Sequence, residues 1–343
     1  MTLRSRVLLL ILLLLIIVAF VLDIMSGAVS ISPEAVLRTL WNGDNGETSS
    51  YVIHNFRLPK ALTALFAGAG IAIAGLQMQN LFHNPLADTS ILGINSGAGV
   101  GVAMYTMAYS LFPSVAIFNS GVSTWGIIIS ACIGSSVVLL LISAVASRVR
   151  NIVSVLIVGV MVGFLSSAII SILQFFSDEE TLKTYLLWSF GSVSGTTWRQ
   201  LHLMIPIITA GLVFALLMPK QMNALALGEN YARSVGTNVK FVRFALIGIT
   251  SMLAGCITAF TGPIAFLGMA VPHFVRLLFR TSDHRILIPA TMLSGSLLLI
   301  ICDILTQLLG KGMLLPINAL TSLIGAPVVI FIVIKDHRSS SVL

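Results

Sequence analysis

An all-α, polytopic membrane protein is the fold class this sequence predicts, and three observations predict it. Of the 343 residues, 57% are hydrophobic and only 9% are charged, whereas a soluble surface needs about a quarter of its residues charged. The mean hydropathy is +1.02. Apolar runs of roughly 20 residues, the length that crosses a hydrocarbon core of about 30 Å, follow one another with short polar clusters between them. No Ser/Gly linker, low-complexity tail or charge block interrupts the series, so residues 1–343 read as a single transmembrane domain.

Taken in order, ten spans fit, approximately 6–25, 59–80, 90–110, 123–147, 151–176, 199–219, 240–260, 263–280, 286–306 and 317–335. The first run, Val7 to Leu22, follows Arg4 and Arg6; Asp23, Met25 and Ser26 make a poor cleavage site, so it is expected to stay as a span. In the polar stretch 26–58, Ser32-Pro33-Glu34 has the cap and first turn of a short outer helix running to Trp41. Asp178-Glu179-Glu180 begins a second short outer helix over Leu182 to Phe190, its acids matching the positive end of the helix dipole. Gly68, Gly70 and Gly75, Gly93, Gly97 and Gly101, and Gly159 and Gly163 let helix backbones approach closely within one bundle. Pro85, Pro206, Pro263, Pro272, Pro289 and Pro327 mark breaks or kinks.

The polar island Asn223 to Arg243 stands out between these runs, because a chain so poor in charge groups Glu229, Arg233, Lys240 and Arg243 there. Asn223 is expected to cap a short turn, Gly228 to interrupt it, and Glu229 to Val235 to form a second short helix ended by Gly236. Glu229 and Arg233 sit four apart in the favourable order, while Tyr231 and Val235 offer an apolar face. Two short helices along the surface, over 220–240, suit the groove of another protein.

The distribution of Lys and Arg sets the orientation, since cytoplasmic loops hold the excess. With both termini cytoplasmic, thirteen fall inside (Arg4, Arg6, Arg148, Arg150, Lys220, Arg233, Lys240, Arg243, Arg276, Arg280, Arg285, Lys335, Arg338). Six fall outside: Arg38, Arg57, Lys60, Lys183, Arg199 and Lys311. The pI of 9.7 is then a topology signal and not a nucleic-acid footprint, because the charges are dispersed among loops. Cys132, Cys256 and Cys302 lie in spans without metal-type spacing and read as packing residues.

Catalytic patterns are missing. There is no H-E-x-x-H, no G-x-S-x-G and no Walker A, since Gly310-Lys311 is followed by Gly312. No resident cofactor or metal is expected, and His273 and His284 read as hydrogen-bonding residues. Asp303, inside the run Leu297 to Leu309, is the intramembrane candidate; one acid gives a thin proton relay, and bonding near the outer end of its helix is the alternative. An ion-coupled secondary transporter is therefore the rival class to a partner-driven one, with an intramembrane enzyme further off.

Several ordered blocks give the chain a resemblance. Arg57-Leu58-Pro59-Lys60 resembles R-L-P-R; Asn84-Pro85-Leu86-Ala87-Asp88 with Leu92-Gly93 resembles N-P-L-A-x-P…L-G; Trp188 to Ser192 resembles W-x-x-G-S. Leu227-Gly228-Glu229, Ala232 and Gly236 resemble L-G-E-x-x-A-x-x-L-G; Gly262 to Gly268, Pro272-His273, Arg276 and Asp283-His284-Arg285 resemble G-P-I-G-F-V-G…P-H…R…D-H-R; Ile324 to Pro327 matches I-G-A-P. Together, over nearly the whole chain, they resemble the FecCD-type permeases of type II ABC importers for iron-siderophores, haem and cobalamin. That resemblance implies ten helices, a homodimer, two ATP-binding cassette subunits that hold the ATP and Mg, and a periplasmic or lipoprotein substrate-binding protein, in a bacterial inner membrane. It implies ATPase coupling through Leu227, Gly228, Glu229, Ala232, Arg233 and Gly236, a cytoplasmic gate at Asn84 and Leu86, and binding-protein docking by Arg57 and Lys60. The expected cargo is an iron chelate, siderophore or haem, with cobalamin as the alternative. The sequence departs from the pattern at Lys60, Thr89, Gln307 and Leu314-Leu315-Pro316-Ile317-Asn318, where the family has Arg, Pro, a basic residue and E-L-P-V-G.

Overall fold

The computed structural model describes residues 3–27, 31–42, 48–111, 122–149, 152–310 and 315–340. Nearly all of them are helical, and no strand occurs among them. The chain opens with α1 (Leu3–Met25), α2 (Pro33–Asn42) and α3 (Thr48–Val52), which runs through a π-helical turn, Ile53–Arg57, into α4 (Leu58–Phe82). Next come α5 (Ile94–Leu111), α6 (Thr124–Arg148), α7 (Ile152–Phe175) and α8 (Glu179–Ser189). Then follow α9 (Trp198–Leu216), the short α10 (Pro219–Ala226) and α11 (Glu229–Ser234), and α12 (Val239–Thr261). The last three are α13 (Leu267–Phe279), α14 (His284–Gly310) and α15 (Ile317–Ser340).

Each expected span falls on one of these helices. Seven described helices are long and apolar enough to cross a membrane, namely α1, the continuous run Thr48–Phe82, α6, α7, α9, α12 and α14. The expected span 263–280 is shorter than a full crossing. Gly262 ends α12 with φ +73°, a value side chains rarely adopt, and an extended segment through Pro263 leads to α13. At 1.5 Å per residue α13 rises only about 20 Å. Both short outer helices form as expected: the Ser32 hydroxyl accepts the Ala35 N–H at the start of α2, and the Asp178 carboxylate accepts the Thr181 N–H (2.8 Å) at the start of α8.

α4 is the axis of the bundle. Its best apolar window is 83% buried, against 17% for α7, so α4 is walled on all sides by α9, α12, α13 and α14 while α7 presents most of its surface outward. A helix enclosed on every side needs small residues where others cross it. A Cβ on Gly68 would strike the carbonyl of Gly295 in α14, and one on Gly75 the carbonyl of Gly268 in α13.

The bundle has two distinct ends. Arg4 donates to the Leu278 carbonyl, placing the start of α1 beside the end of α13 and, through the contacts of α10 with α4 and α14, beside α10 and α11; we call this the basal end. The finish of α1, the starts of α4 and α9, and the close of α14 meet at the distal end.

Replacing Gly75 or Gly68 with Val should therefore cost at least the roughly 1–3 kcal/mol of an overpacked core, because the obstructing atoms are backbone. Gly248→Ala, where a Cβ would meet nothing within 4 Å, should be neutral. Thermal unfolding of the detergent-purified variants checks both.

Candidate coupling segment, gate turn and buried ion cluster

The polar island folds as two short helices at the basal end. Pro219 sits in the first turn of α10, where its missing N–H costs nothing. Met222 and Leu225 are the buried apolar anchors of this helix. Asn223 does not cap it, correcting the expectation: it lies in the helix interior, where its Nδ2 donates to Asp283 Oδ1 (2.7 Å) and its Oδ1 accepts the backbone N–H of His284 (2.9 Å). Burial alone would raise the Asp283 carboxyl, but the Arg285 N–H, the Asn223 amide and the Arg285 charge outweigh it and hold Asp283 below the usual carboxylate range.

Gly228 at φ +103° turns the chain from α10 into α11, and Gly236 at φ +81° ends α11, so both glycines meet the backbone need that the sequence suggests. Ala232 is the buried residue of α11, fully enclosed. Leu227, Tyr231 and Val235 are about half exposed or more, at 66%, 48% and 53%, and form an apolar patch at the surface. Glu229 pairs with exposed Arg233 at 3.3 Å and also with buried Arg243 near the start of α12, a link that pins α11 to the bundle. Arg148, Arg233, Lys240 and Arg243 line a cleft of about 760 Å³ beside it.

The candidate gate turn follows α4. His83 adopts a left-handed conformation (φ 48°) that ends the helix. The Asn84 side-chain oxygen then accepts the Leu86 N–H at 2.9 Å, and the Asn84 carbonyl accepts the Ala87 N–H at 3.1 Å. Leu86 stays 39% exposed. Gln79, His83, Asn84, Pro85, His273, Arg276 and Leu277 line a 410 Å³ cavity at this turn, and Arg276 donates to Gln79 Oε1 at 2.6 Å.

The two cations expected to face a binding protein are turned inward. Arg57 is buried and donates to the carbonyls of Ile24 and Met25, both 2.9 Å away; a cation on the last carbonyls of α1 meets the negative end of that helix. Lys60 lies 2.8 Å from Asp303 and 3.2 Å from Asp23, with all three side chains buried. Gln307 Nε2 bridges the same two carboxylates at 2.9 and 3.0 Å. Both cations are therefore engaged inside the bundle, in contrast to the outward placement expected for them. Asp303 is thus one of two carboxylates that share Lys60 near the distal end.

Two residues of this cluster escaped the sequence reading. Asp23 was weighed only as part of a cleavage site, although an acid at the close of an apolar run carried the same signal as Asp303. Gln307 stood out only as a departure. A second departure, Asn318, accepts the Ala265 N–H at 3.1 Å, and the Ser192 N–H donates to the Thr261 carbonyl (2.7 Å). Three sequence blocks far apart in the chain therefore meet at the break between α12 and α13. Arg150 and Lys311, used in assigning sides, lie outside the described residues.

With these elements in place, comparison with known proteins decides the family. The model of the FecCD transport family matches residues 14–335. The chain belongs to the FecCD transport family. It is a multi-pass permease of the type II ABC importers and not an enzyme. It is 33% identical to the hemin transport system permease protein HmuU of Yersinia pestis over 317 residues, 92% of this chain and 91% of that one. It is 34% identical to the vitamin B12 import system permease protein BtuC of Escherichia coli O17:K52:H18 over 322 residues, 94% and 93% of the two chains. A solved structure described as an inward-facing conformation of a metal-chelate type ABC transporter superposes with a TM-score of 0.82 at 27% identity, covering 96% of this chain and 99% of that one.

In this FecCD permease, Lys60→Met should destabilise the fold by about 3–5 kcal/mol, because it strands two buried carboxylates. Removing the acids as well, in Lys60→Met/Asp23→Asn/Asp303→Asn, should recover most of the loss. Thermal melting of the purified variants distinguishes the two; equal melting of both would show that the cluster carries no net pairing energy.

Proposed function

We propose that two copies of this chain form the membrane pathway of an importer driven by two separate ATP-binding cassette subunits and fed by an external substrate-binding protein. The observation that carries the reading is the exposed apolar patch Leu227, Tyr231 and Val235 on a charged, bundle-anchored segment, in a chain without a Walker A motif. Apolar area set among polar residues is what a partner groove buries. ATP and Mg belong to that partner, and the permease needs no cofactor of its own.

Leu227, Gly228, Glu229, Ala232, Arg233 and Gly236, within 220–240, dock the ATPase. Nucleotide-driven displacement of this segment biases the pathway between outward and inward access, with Asn84 and Leu86 closing the cytoplasmic side. Both termini are cytoplasmic in this reading; the basal end gathers Arg4, Arg148, Arg233, Lys240, Arg243, Arg276, Arg280 and Arg285, the bias expected of an inner face. The membrane is the bacterial inner membrane.

The cargo is a large metal chelate, with iron-siderophore or haem first and cobalamin as the second reading. Relatives named for haem and for vitamin B12 are almost equally identical to this chain, which keeps both in view. Ligand titration of the cognate binding protein with haem, a ferric siderophore and cobalamin decides among them, and tight cobalamin binding alone would overturn the iron reading.

Glu229→Ala and Gly236→Val should each weaken association of the ATPase by about tenfold or more while the permease still inserts. Pull-down of the ATPase and uptake into proteoliposomes check this, and unchanged values in both variants would sink the docking assignment. Uptake that survives inactivation of the ATPase would instead favour ion coupling.

A further inference from the structure

The last turn of α4 leads directly into the Asn84–Leu86 turn, and the side chains of buried Asn80 and His284 and of exposed His83 fasten it to α10 and α14. Asn80 Nδ2 donates to the Met222 carbonyl at 3.0 Å and lies 3.3 Å from His284 Nε2. His83 Nε2 lies 2.8 Å from the Leu225 carbonyl, so that nitrogen carries a proton. His284 Nδ1 is 2.7 Å from Asn223 Oδ1.

Donor and acceptor chemistry fixes every orientation in this set. Asn223 must turn its amide nitrogen to the Asp283 carboxylate, which only accepts, and so offers its oxygen to His284. The imidazole therefore holds its proton on Nδ1 and receives the second N–H of Asn80 on Nε2. The donors run in one direction, from α4 through His284 to α10 and on to Asp283. Apolar contact is non-directional and would let an eight-residue helix such as α10 slip against its neighbours. Directional hydrogen bonds between Asn80, His284, Asn223 and Asp283 favour one register.

We propose that Asn80, His83, Asn223 and His284 form a coupling relay, positioning residues that make α10 and the last turn of α4 move as one body and so deliver displacement of the coupling segment to the Asn84–Leu86 turn. The relay rests on the reading of 220–240 as the ATPase docking segment and of Asn84 and Leu86 as the gate. His284 belongs to it because its ring joins the α4 side to the α10 side.

Two replacements of His284 each cut one link while keeping a side chain of similar polarity. His284→Asn retains a donor toward Asn223 and loses the acceptor for Asn80; His284→Gln retains the acceptor and loses the donor. Asn80→Ala cuts the chain at its origin. In proteoliposomes holding the permease, its ATPase and binding protein, the ATPase should co-purify with each variant and hydrolyse ATP. Substrate moved per ATP should fall by about tenfold, within the span of coupling changes that single residues produce. Because both variants remove the same Asn80–His284 link, Asn80→Ala/His284→Asn should be no worse than Asn80→Ala alone. Transport per ATP within about twofold of the unmodified protein, with the ATPase still bound, in His284→Asn or His284→Gln would overturn the relay. A fall explained by loss of the ATPase from the complex would overturn it too, since the variants would then act on assembly. Failure of the docking reading shows separately, as an ATPase that stays bound to Glu229→Ala and Gly236→Val.

Discussion

Lys60 holds two carboxylates within hydrogen-bonding distance in a place where neither water nor lipid could replace it, and the distal half of the bundle is arranged around that contact. Asp23 ends α1, Lys60 starts α4 and Asp303 lies in the closing third of α14, so one ammonium fixes the positions of three helices. Burying these charges is costly without each other; Gln307 donates to both carboxylates, and Arg57 caps the last carbonyls of α1 beside them. With the distal ends pinned, α4 is committed to the centre. The glycine contacts at Gly68 and Gly75 then hold α14 and α13 close along its length.

The basal end is built differently. There the last turn of α4 meets carbonyls of α10, the ring of His284 and, through Gln79, the guanidinium of Arg276. These are hydrogen bonds between neutral or singly charged groups, cheaper to shift than a buried ion cluster. The same central helix is thus clamped at one end by charge and tied at the other by amides and imidazoles.

Much of this was legible in the sequence because lipid leaves few alternatives. A backbone in hydrocarbon must satisfy itself as helix, so run length alone located ten helices, seven of which are long and apolar enough to cross among the described residues, and Ser32, Asp178, Gly228 and Gly236 marked local breaks whose chemistry is independent of tertiary context. Side-chain direction was less accessible. Arg57 and Lys60 look like outer-surface cations by position, and only the return of α1 and α14 to the same depth shows that each finds its partners inside. Asn223 has the composition of a cap, but the loop before α14 supplies it with better partners in three dimensions than its own helix start does. The shortness of α13 was hidden as well, because Gly262 and Pro263 read equally well as a kink within a span.

The ion cluster also sets an order for making the protein. Lys60 follows Asp23 by 37 residues, whereas Gln307 follows it by 284. A ribosome adding about 5–20 residues per second delivers the first pair long before the second, so Asp23 and Lys60 enter the bilayer with only each other. Pairing lowers the cost of carrying each charge into the bilayer, and once α14 is in place the same ammonium is shared with Asp303. Charge already at depth thus gives α14, the next-to-last helix of the chain, a fixed place to dock.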